Sequence, residues 1–233
     1  MMKKGSLWLI LGILVVVFSL LLHTNKEVEN VKKVEPTIRH EEIVFEHKVL
    51  LDAGHGGYDA GCESVNNHLE KDVNLAITLK AGAILAKHGV EVVYTRDSDQ
   101  VIWEDNNIKD LRKRSEIANA SKADLFISIH ANSNDDESIK GYEIWYSDVN
   151  KGSKALADIM AEFFMKDPYS TDRGVRNDEY APLSLLYYNK IPSILIECGF
   201  LTNPEDEKIL ISEQGQNDIA NRIAQGILAS LDS

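Results

Sequence analysis

Three short apolar runs in this chain each end in a His or a Glu. The runs lead to His55, His130 and Glu197, and a Gly or Asn follows within two residues of each. Apolar runs of this length that stop at Gly or polar residues are typical of buried strands. Functional groups of open α/β sheets lie at the carboxyl ends of the strands. We therefore expect the three side chains to meet at one edge of a sheet.

The segments between the first two runs predict helices and a further strand. Apolar residues recur at helical spacing over residues 70–88, and Gly89 then leads into an apolar strand over residues 90–95. A second, basic helix is predicted over residues 108–120. Strands that alternate with helices indicate an α/β fold. We expect a single domain with a mostly parallel, twisted sheet flanked by helices.

The pattern beyond residue 140 is less regular. It predicts a half-exposed strand at or near the sheet edge (residues 141–147), an amphipathic helix (153–165), a loop (172–176), a short strand or groove wall (185–188) and a final helix (214–231). Asn203 precedes Pro204, and this pair is typical of a helix N-cap followed by the first helical residue.

An uncharged apolar segment stands near the N-terminus. Residues 7–22 follow two lysines, and their length is near the lower limit of roughly 17–25 residues for a spanning helix. The core of a signal peptide looks similar, but no small-x-small cleavage site follows, so we favour an uncleaved anchor. We divide the chain into an anchor (1–23), a linker (24–47) and a catalytic domain (48–233). The lysines favour a cytoplasmic N-terminus, which places the domain outside the cytoplasm.

Charge and cysteine content exclude other classes. The net charge of −12 argues against nucleic-acid binding, which needs clustered Lys and Arg. Two cysteines, Cys62 and Cys198, are too few for a disulfide framework. We expect free thiols, although a bond between them stays an alternative in an extracytoplasmic setting.

The strand-end histidines suggest a metal site. Zinc in hydrolases takes three protein ligands and keeps one position for water, and two His with one Glu form a common set. His55 and His130 would supply two ligands, and the third would be Glu70 or His68. Each residue also has a simpler role, because strand-end His often bonds at the surface and the helix dipole favours Glu in a first turn.

Glu197 is the candidate for proton transfer. A carboxylate at the end of an apolar strand is partly desolvated, which raises its pKa toward a value useful for a base. The simpler alternative is a salt bridge to Arg173 or Arg176. If Glu197 were structural, Glu143 would be the next candidate for the base.

Five segments, taken together, resemble a known family. They are LDAGHGG (51–57), EKDVNL (70–75), TRD (95–97), SIHAN (128–132) and ECGFLTN (197–203). In order and spacing they are similar to motifs of the zinc-dependent N-acetylmuramoyl-L-alanine amidases. The resemblance implies that His55, Glu70 and His130 bind Zn²⁺, in preference to His68, and that Glu197 is the catalytic carboxylate. It also implies the substrate bond, the amide between the lactyl group of muramic acid and L-alanine in peptidoglycan.

Two departures from the family pattern bear on subtype. Cys198 replaces a small apolar residue, which a packed strand tolerates. Division-associated relatives carry an inserted inhibitory helix after the second His, whereas only residues 131–140 intervene here. The chain is therefore most similar to the membrane-anchored spore-cortex type, which prepares peptidoglycan for muramic-δ-lactam formation, and an activating protein partner is compatible with it. A stem-peptide metallopeptidase and an inactive wall-binding module remain the rival hypotheses.

Overall fold

Strands and helices alternate along the chain in a computed structural model of the protein. The structure describes residues 45–101, 106–177, 179 and 183–233. The strands are β1 (Lys48–Ala53), β2 (Glu91–Tyr94), β3 (Leu125–Asn132), β4 (Tyr142–Tyr146), β5 (Asp172–Asn177) and β6 (Ser193–Phe200). The helices are α1 (Glu70–Lys87), α2 (Asn107–Ser121), α3 (Ser153–Met165), α4 (Ser184–Tyr187), α5 (Pro204–Leu210) and α6 (Glu213–Leu231).

All six strands join one sheet in the order β2-β1-β3-β6-β4-β5. Neighbouring strands run parallel except β4 and β6, which pair antiparallel. The carboxyl ends of β1, β3 and β6 therefore share an edge, and β4 begins at that edge. The predicted α/β class, with a mostly parallel sheet flanked by helices, is confirmed.

Apolar residues cover both faces of the sheet. Val49 and Leu51 of β1 belong to the larger core with α1, α3 and α6, whereas Leu50 belongs to a smaller core with α2 and α4. Successive side chains of a strand point to opposite faces, so burial on both faces requires a continuous apolar run. This requirement explains the runs seen in the sequence.

Two predicted elements are wrong. Residues 172–176, predicted as a loop, lie in β5, which pairs parallel with β4 and is an edge strand. Residues 185–188, predicted as a short strand or a groove wall, lie mostly in the short helix α4, so the strand alternative is wrong, whereas Leu185 does line a cleft. The predicted cap of α5 is present, because Asn203 Oδ1 accepts bonds from the amides of Glu205 and Asp206.

The predicted anchor and most of the predicted linker lie outside the described residues. Within the described ranges, no helix is both long and apolar enough to cross a membrane.

Candidate metal centre

Three side chains converge at the shared strand edge. His55 follows β1, Glu70 is the first residue of α1, and His130 lies near the end of β3. Glu70 Oε1 is 3.1 Å from His55 Nε2 and 3.0 Å from His130 Nδ1. One ligand atom from each residue lies within 4.8 Å of the others, which is close enough for all three to hold one metal ion.

Neighbouring groups fix the orientation of these side chains. His55 Nδ1 lies 2.8 Å from Asp59 Oδ2, so its other ring nitrogen faces Glu70. A carboxylate on the far nitrogen of a His is the usual partner of a metal ligand. Glu70 Oε1 accepts a bond from Asn74 Nδ2, and Oε2 accepts one from the Cys62 amide.

The electrostatics of the group favour positive charge at its centre. Burial alone would raise the pKa of Glu70, but hydrogen bonds with His130 and His55 bring it well below the ordinary value. Burial lowers the pKa of His55, yet the bonds with Glu70 and Asp59 outweigh it and raise the pKa to about 9. An ionised carboxylate between two imidazoles offers one negative charge and neutral nitrogen donors to a cation, so the donor set fits a metal ion.

Backbone conformation and two glycines leave room for the three donors. His55 adopts a left-handed conformation with φ of 61°, which is uncommon for a residue with a side chain and turns the imidazole toward Glu70. A Cβ at Gly54 would lie 2.3 Å from the His130 ring, and one at Gly61 would lie 2.6 Å from Glu70 Oε2. Glycine is therefore required at both positions for the donors to keep these places.

Glu197 lies beside His130, since the two residues are register partners across β3 and β6. Its Oε2 is buried and has no hydrogen-bond partner among the described residues. Burial, followed by the negative charges of Glu70 and Glu143, raises the pKa of Glu197 well above the ordinary value. A half-buried carboxyl with an unpaired oxygen can accept or donate a proton at the centre.

Glu143, the alternative base, is already fully engaged. Its Oε1 accepts bonds from Asn132 Nδ2 and Trp145 Nε1, each at 3.1 Å. Arg173 Nε and Arg176 Nε lie 3.0 and 2.9 Å from its Oε2. The arginines proposed as salt-bridge partners of Glu197 thus pair with Glu143, and Glu197 Oε2 is left without a partner among the described residues.

Two other sequence candidates serve different roles. His68 Nδ1 lies 2.8 Å from Glu207 Oε1, so its ring fastens the loop before α1 to α5 and does not join the group of three. Cys62 and Cys198 are free thiols, as expected. Burial raises the pKa of Cys62 to about 12, which makes this thiol unreactive.

Two arginines hold the His55 loop: Arg96, which stands in a family motif but was given no role, and Arg114, which sequence reasoning missed. Arg96 donates to the carbonyls of Ala53 and Gly54. Arg114 donates to the carbonyl of His55 at 2.6 Å and to Asp52 Oδ1 at 2.7 Å. Both arginines are buried. The one available signal was the position of Arg114 on the face of a helix that packs against the sheet.

This arrangement defines a class: a hydrolytic enzyme whose reaction centre lies at the carboxyl ends of an α/β sheet. The chain belongs to the N-acetylmuramoyl-L-alanine amidase family, whose model matches residues 49–229.

Solved structures and curated relatives agree with this assignment. The amidase AmiC2 of Nostoc punctiforme is 38% identical, with a TM-score of 0.72, over 80% of this chain and 98% of that chain. The CwlD amidase of Clostridioides difficile, solved in complex with the GerS lipoprotein, is 34% identical, with a TM-score of 0.71, over 80% and 98%. The germination-specific N-acetylmuramoyl-L-alanine amidase of Bacillus subtilis is 30% identical over 77% of this chain and 78% of its own length.

Proposed function

We propose that this protein is a zinc-dependent enzyme that hydrolyses the amide between N-acetylmuramic acid and L-alanine in peptidoglycan. The observation that carries the proposal is the convergence of His55, Glu70 and His130 beside the unpaired Oε2 of Glu197, in a chain of the amidase family. The first three would hold the metal, and Glu197 would move the proton.

The chain's own groups divide the remaining work. A zinc ion would supply Lewis acidity that polarises the substrate carbonyl and makes a water molecule more acidic. Glu197 Oε2 would accept a proton from the attacking water as the new C–O bond forms. It would then give that proton to the amide nitrogen as the C–N bond breaks. Burial raises the pKa of Glu197, which favours uptake of the proton from water.

A cleft beside the centre provides room for substrate. It has a volume of about 160 Å³ and is lined by His55 and His130 together with Leu111 of α2 and Leu185 of α4. The leucines would contact apolar parts of the substrate next to the scissile bond.

We further propose that the enzyme works in spore-cortex maturation. Its N-terminal segment would anchor it in a membrane, with the catalytic domain on the outer side. Supporting this setting are the likeness to a germination-specific amidase and to CwlD. The latter was solved with a lipoprotein, so an activating protein partner is part of the proposal. The division into anchor, linker and catalytic domain from residue 48 also remains part of it.

Analysis of new chain ends tests the reaction. Purified peptidoglycan is digested with the full-length protein in detergent, and soluble products are identified by mass spectrometry. We expect peptides with a new L-alanine amino terminus, and glycan strands with free lactyl groups. Cleavage within the stem peptide would indicate a metallopeptidase instead. Binding without new ends would indicate an inactive wall-binding module.

A further inference from the structure

A charged cluster lies next to Glu197 and is not used by the reaction described above. Glu143 of β4 is the register partner of Glu197 of β6. Paired residues on neighbouring strands point to the same face, so Glu143, Glu197 and His130 form a row across β4, β6 and β3. Arg173 and Arg176 of β5 extend this row on the side away from His130.

Glu143 pairs with the inner nitrogens of both arginines, through a hydrogen bond from Arg173 Nε and through an ion pair alone with Arg176 Nε. Its Oε2 lies 3.0 Å from Arg173 Nε and 2.9 Å from Arg176 Nε. The Arg173 guanidinium also stacks 5.0 Å above the ring of Phe200, and that of Arg176 lies 5.7 Å from the ring of Trp145. The two guanidinium groups are thus held in position by a buried carboxylate and by aromatic rings.

The outer nitrogens of both arginines are available to a ligand. In the parts of the chain that the structure describes, neither guanidinium has a second hydrogen bond or ion pair. Their side chains are 28% and 40% exposed, whereas that of Glu143 is 6% exposed. Among the described residues these two cations share one anion, Glu143, so this accessible part of the structure carries a net positive charge. Paired guanidinium forks match the geometry of a carboxylate.

Chemistry decides which part of the substrate carries that carboxylate. The N-acetyl sugars of peptidoglycan are uncharged, and the acid of the lactyl group is consumed in the scissile amide. Free carboxylates therefore belong to the peptide. Adjacent strands are about 4.8 Å apart, so Glu143 of β4 lies roughly one strand spacing from Glu197. The two arginines start one strand further out, on β5, and their side chains extend back to Glu143. A peptide covers about 7 Å in two residues, which places the second residue of the stem within reach.

We infer that Arg173 and Arg176 bind the free α-carboxylate of the acidic, γ-linked residue that follows L-alanine, and so select the stem peptide. This inference rests on the proposed amidase function and adds a determinant of specificity to it. The two arginines hold the leaving peptide in line with Glu197 but take no part in proton transfer.

Two synthetic muramyl peptides test the inference with the full-length protein. They differ only in the second residue, which carries either a free α-carboxylate or an α-amide. The wild type should cleave the carboxylate form with a kcat/KM about 10- to 100-fold higher, the size expected for a charge-assisted, bidentate contact. Arg176→Gln should raise KM for this form by a similar factor, with kcat within about threefold, and should leave the amide form nearly unchanged.

Control variants separate binding from other effects. Arg176→Lys keeps the charge but not the planar guanidinium group. Its KM for the carboxylate form should therefore lie between those of the wild type and Arg176→Gln. Arg112→Gln removes an exposed arginine on α2 and should leave kcat/KM for both substrates unchanged. It therefore controls for the change in net charge.

Each contrary result has a distinct meaning. Equal kcat/KM of the wild type on both substrates overturns the inference but not the proposed function, and this comparison needs no variant. An equal loss of kcat on both substrates in Arg176→Gln shows that the arginine acts through Glu143 instead. Cleavage of neither substrate by the wild type overturns the proposed function, and the inference with it.

Discussion

At the scale of single residues, hydrogen-bond partners decide what each side chain of the candidate centre can do. Asp59 occupies the outer nitrogen of His55, and Asn74 and the Cys62 amide steady Glu70. The same principle separates Glu197 from Glu143. A carboxyl saturated with donors cannot readily accept a proton, whereas the unpaired Oε2 of Glu197 can.

Zinc retention checks the ligand assignment. Replacing one of three ligands should weaken metal binding sharply, because two donors cannot complete the coordination shell. We expect His130→Ala to lose its zinc on dialysis, as measured by elemental analysis. His68→Ala is the matched control, since His68 bonds to Glu207 and should leave the zinc content unchanged. Full occupancy in His130→Ala, or equal losses in both variants, would contradict the assignment.

Substitution of Glu197 checks the proton-transfer role. Glu197→Gln keeps the shape of the side chain, so zinc content and peptidoglycan binding should persist. We expect turnover to fall by about 10²–10⁴, the usual contribution of a positioned acid or base. Release of L-alanine-terminated peptides is measured beside zinc content for both proteins. A variant that keeps its zinc and cleaves at near wild-type rate would assign Glu197 a structural role only.

Residue patterns in the sequence predicted His55 and His130 as donors and left the third open between Glu70 and His68, and the family resemblance then favoured Glu70. None of these signals showed what holds the donors. His55, Glu70 and His130 stand at element ends, where periodicity stops, and such positions are visible in one dimension. Arg114 was missed, and Arg96 was noted only as part of a family motif, because both act through long-range bonds to β1 and the loop that follows it, which the local pattern does not encode.

At the scale of elements, the parallel core was predictable and the second half was not. β1, β3 and β6 are buried on both faces and therefore read as continuous apolar runs. β5 pairs on one side only and carries Arg173, Gly174 and Arg176, a composition typical of loops. α4 spans four residues, too few to show a helical period. Its apolar residues and those of a short strand look alike.

The junction of β1 with α2 has a predictable response to acid. Asp52 is buried, and its carboxylate accepts bonds from Arg114, Ser128 and Thr95. Burial would raise its pKa, but Arg114 and the two hydroxyls together lower it below the ordinary value of 3.8. A lowered folded-state pKa contributes stability above the unfolded value, and this contribution is lost as the pH falls through the folded value.

Asp52→Asn should therefore reduce the free energy of unfolding most near neutral pH. Leaving Arg114 without this buried partner should reduce the free energy of unfolding by about 3–5 kcal/mol. Urea unfolding at pH 7 and at lower pH measures the difference between variant and wild type, which should shrink below about pH 4. Asp135→Asn, at an exposed position, provides the control and should show little difference at any pH. A penalty that does not change with pH would show that the charge of Asp52 is unimportant.

At the scale of the whole molecule, the candidate metal centre and the predicted membrane segment belong to different parts of the chain. The described part of the domain begins just before β1, and the three candidate ligands all lie within it. The predicted anchor would set where the enzyme acts.

Intact mass of the protein extracted from membranes checks the anchor. We expect residues 7–22 to remain attached, because two lysines precede the apolar segment and no cleavage site follows it. The same protein with both lysines changed to Glu is a useful comparison, since it should insert less well or in the opposite orientation. A mature chain that begins between residues 22 and 33 would instead show a cleaved signal peptide.

Gly54 and Gly61 limit how this centre can change over evolutionary time. Any side chain at either position would collide with His130 or with Glu70 and His55, so neither glycine can be replaced while the donors keep their places. Loss of a donor removes that obstacle. Selection on the two glycines then relaxes, and larger residues can accumulate there without unfolding the sheet. Residues other than glycine at positions 54 and 61 would thus mark descendants that have kept the fold and lost the activity.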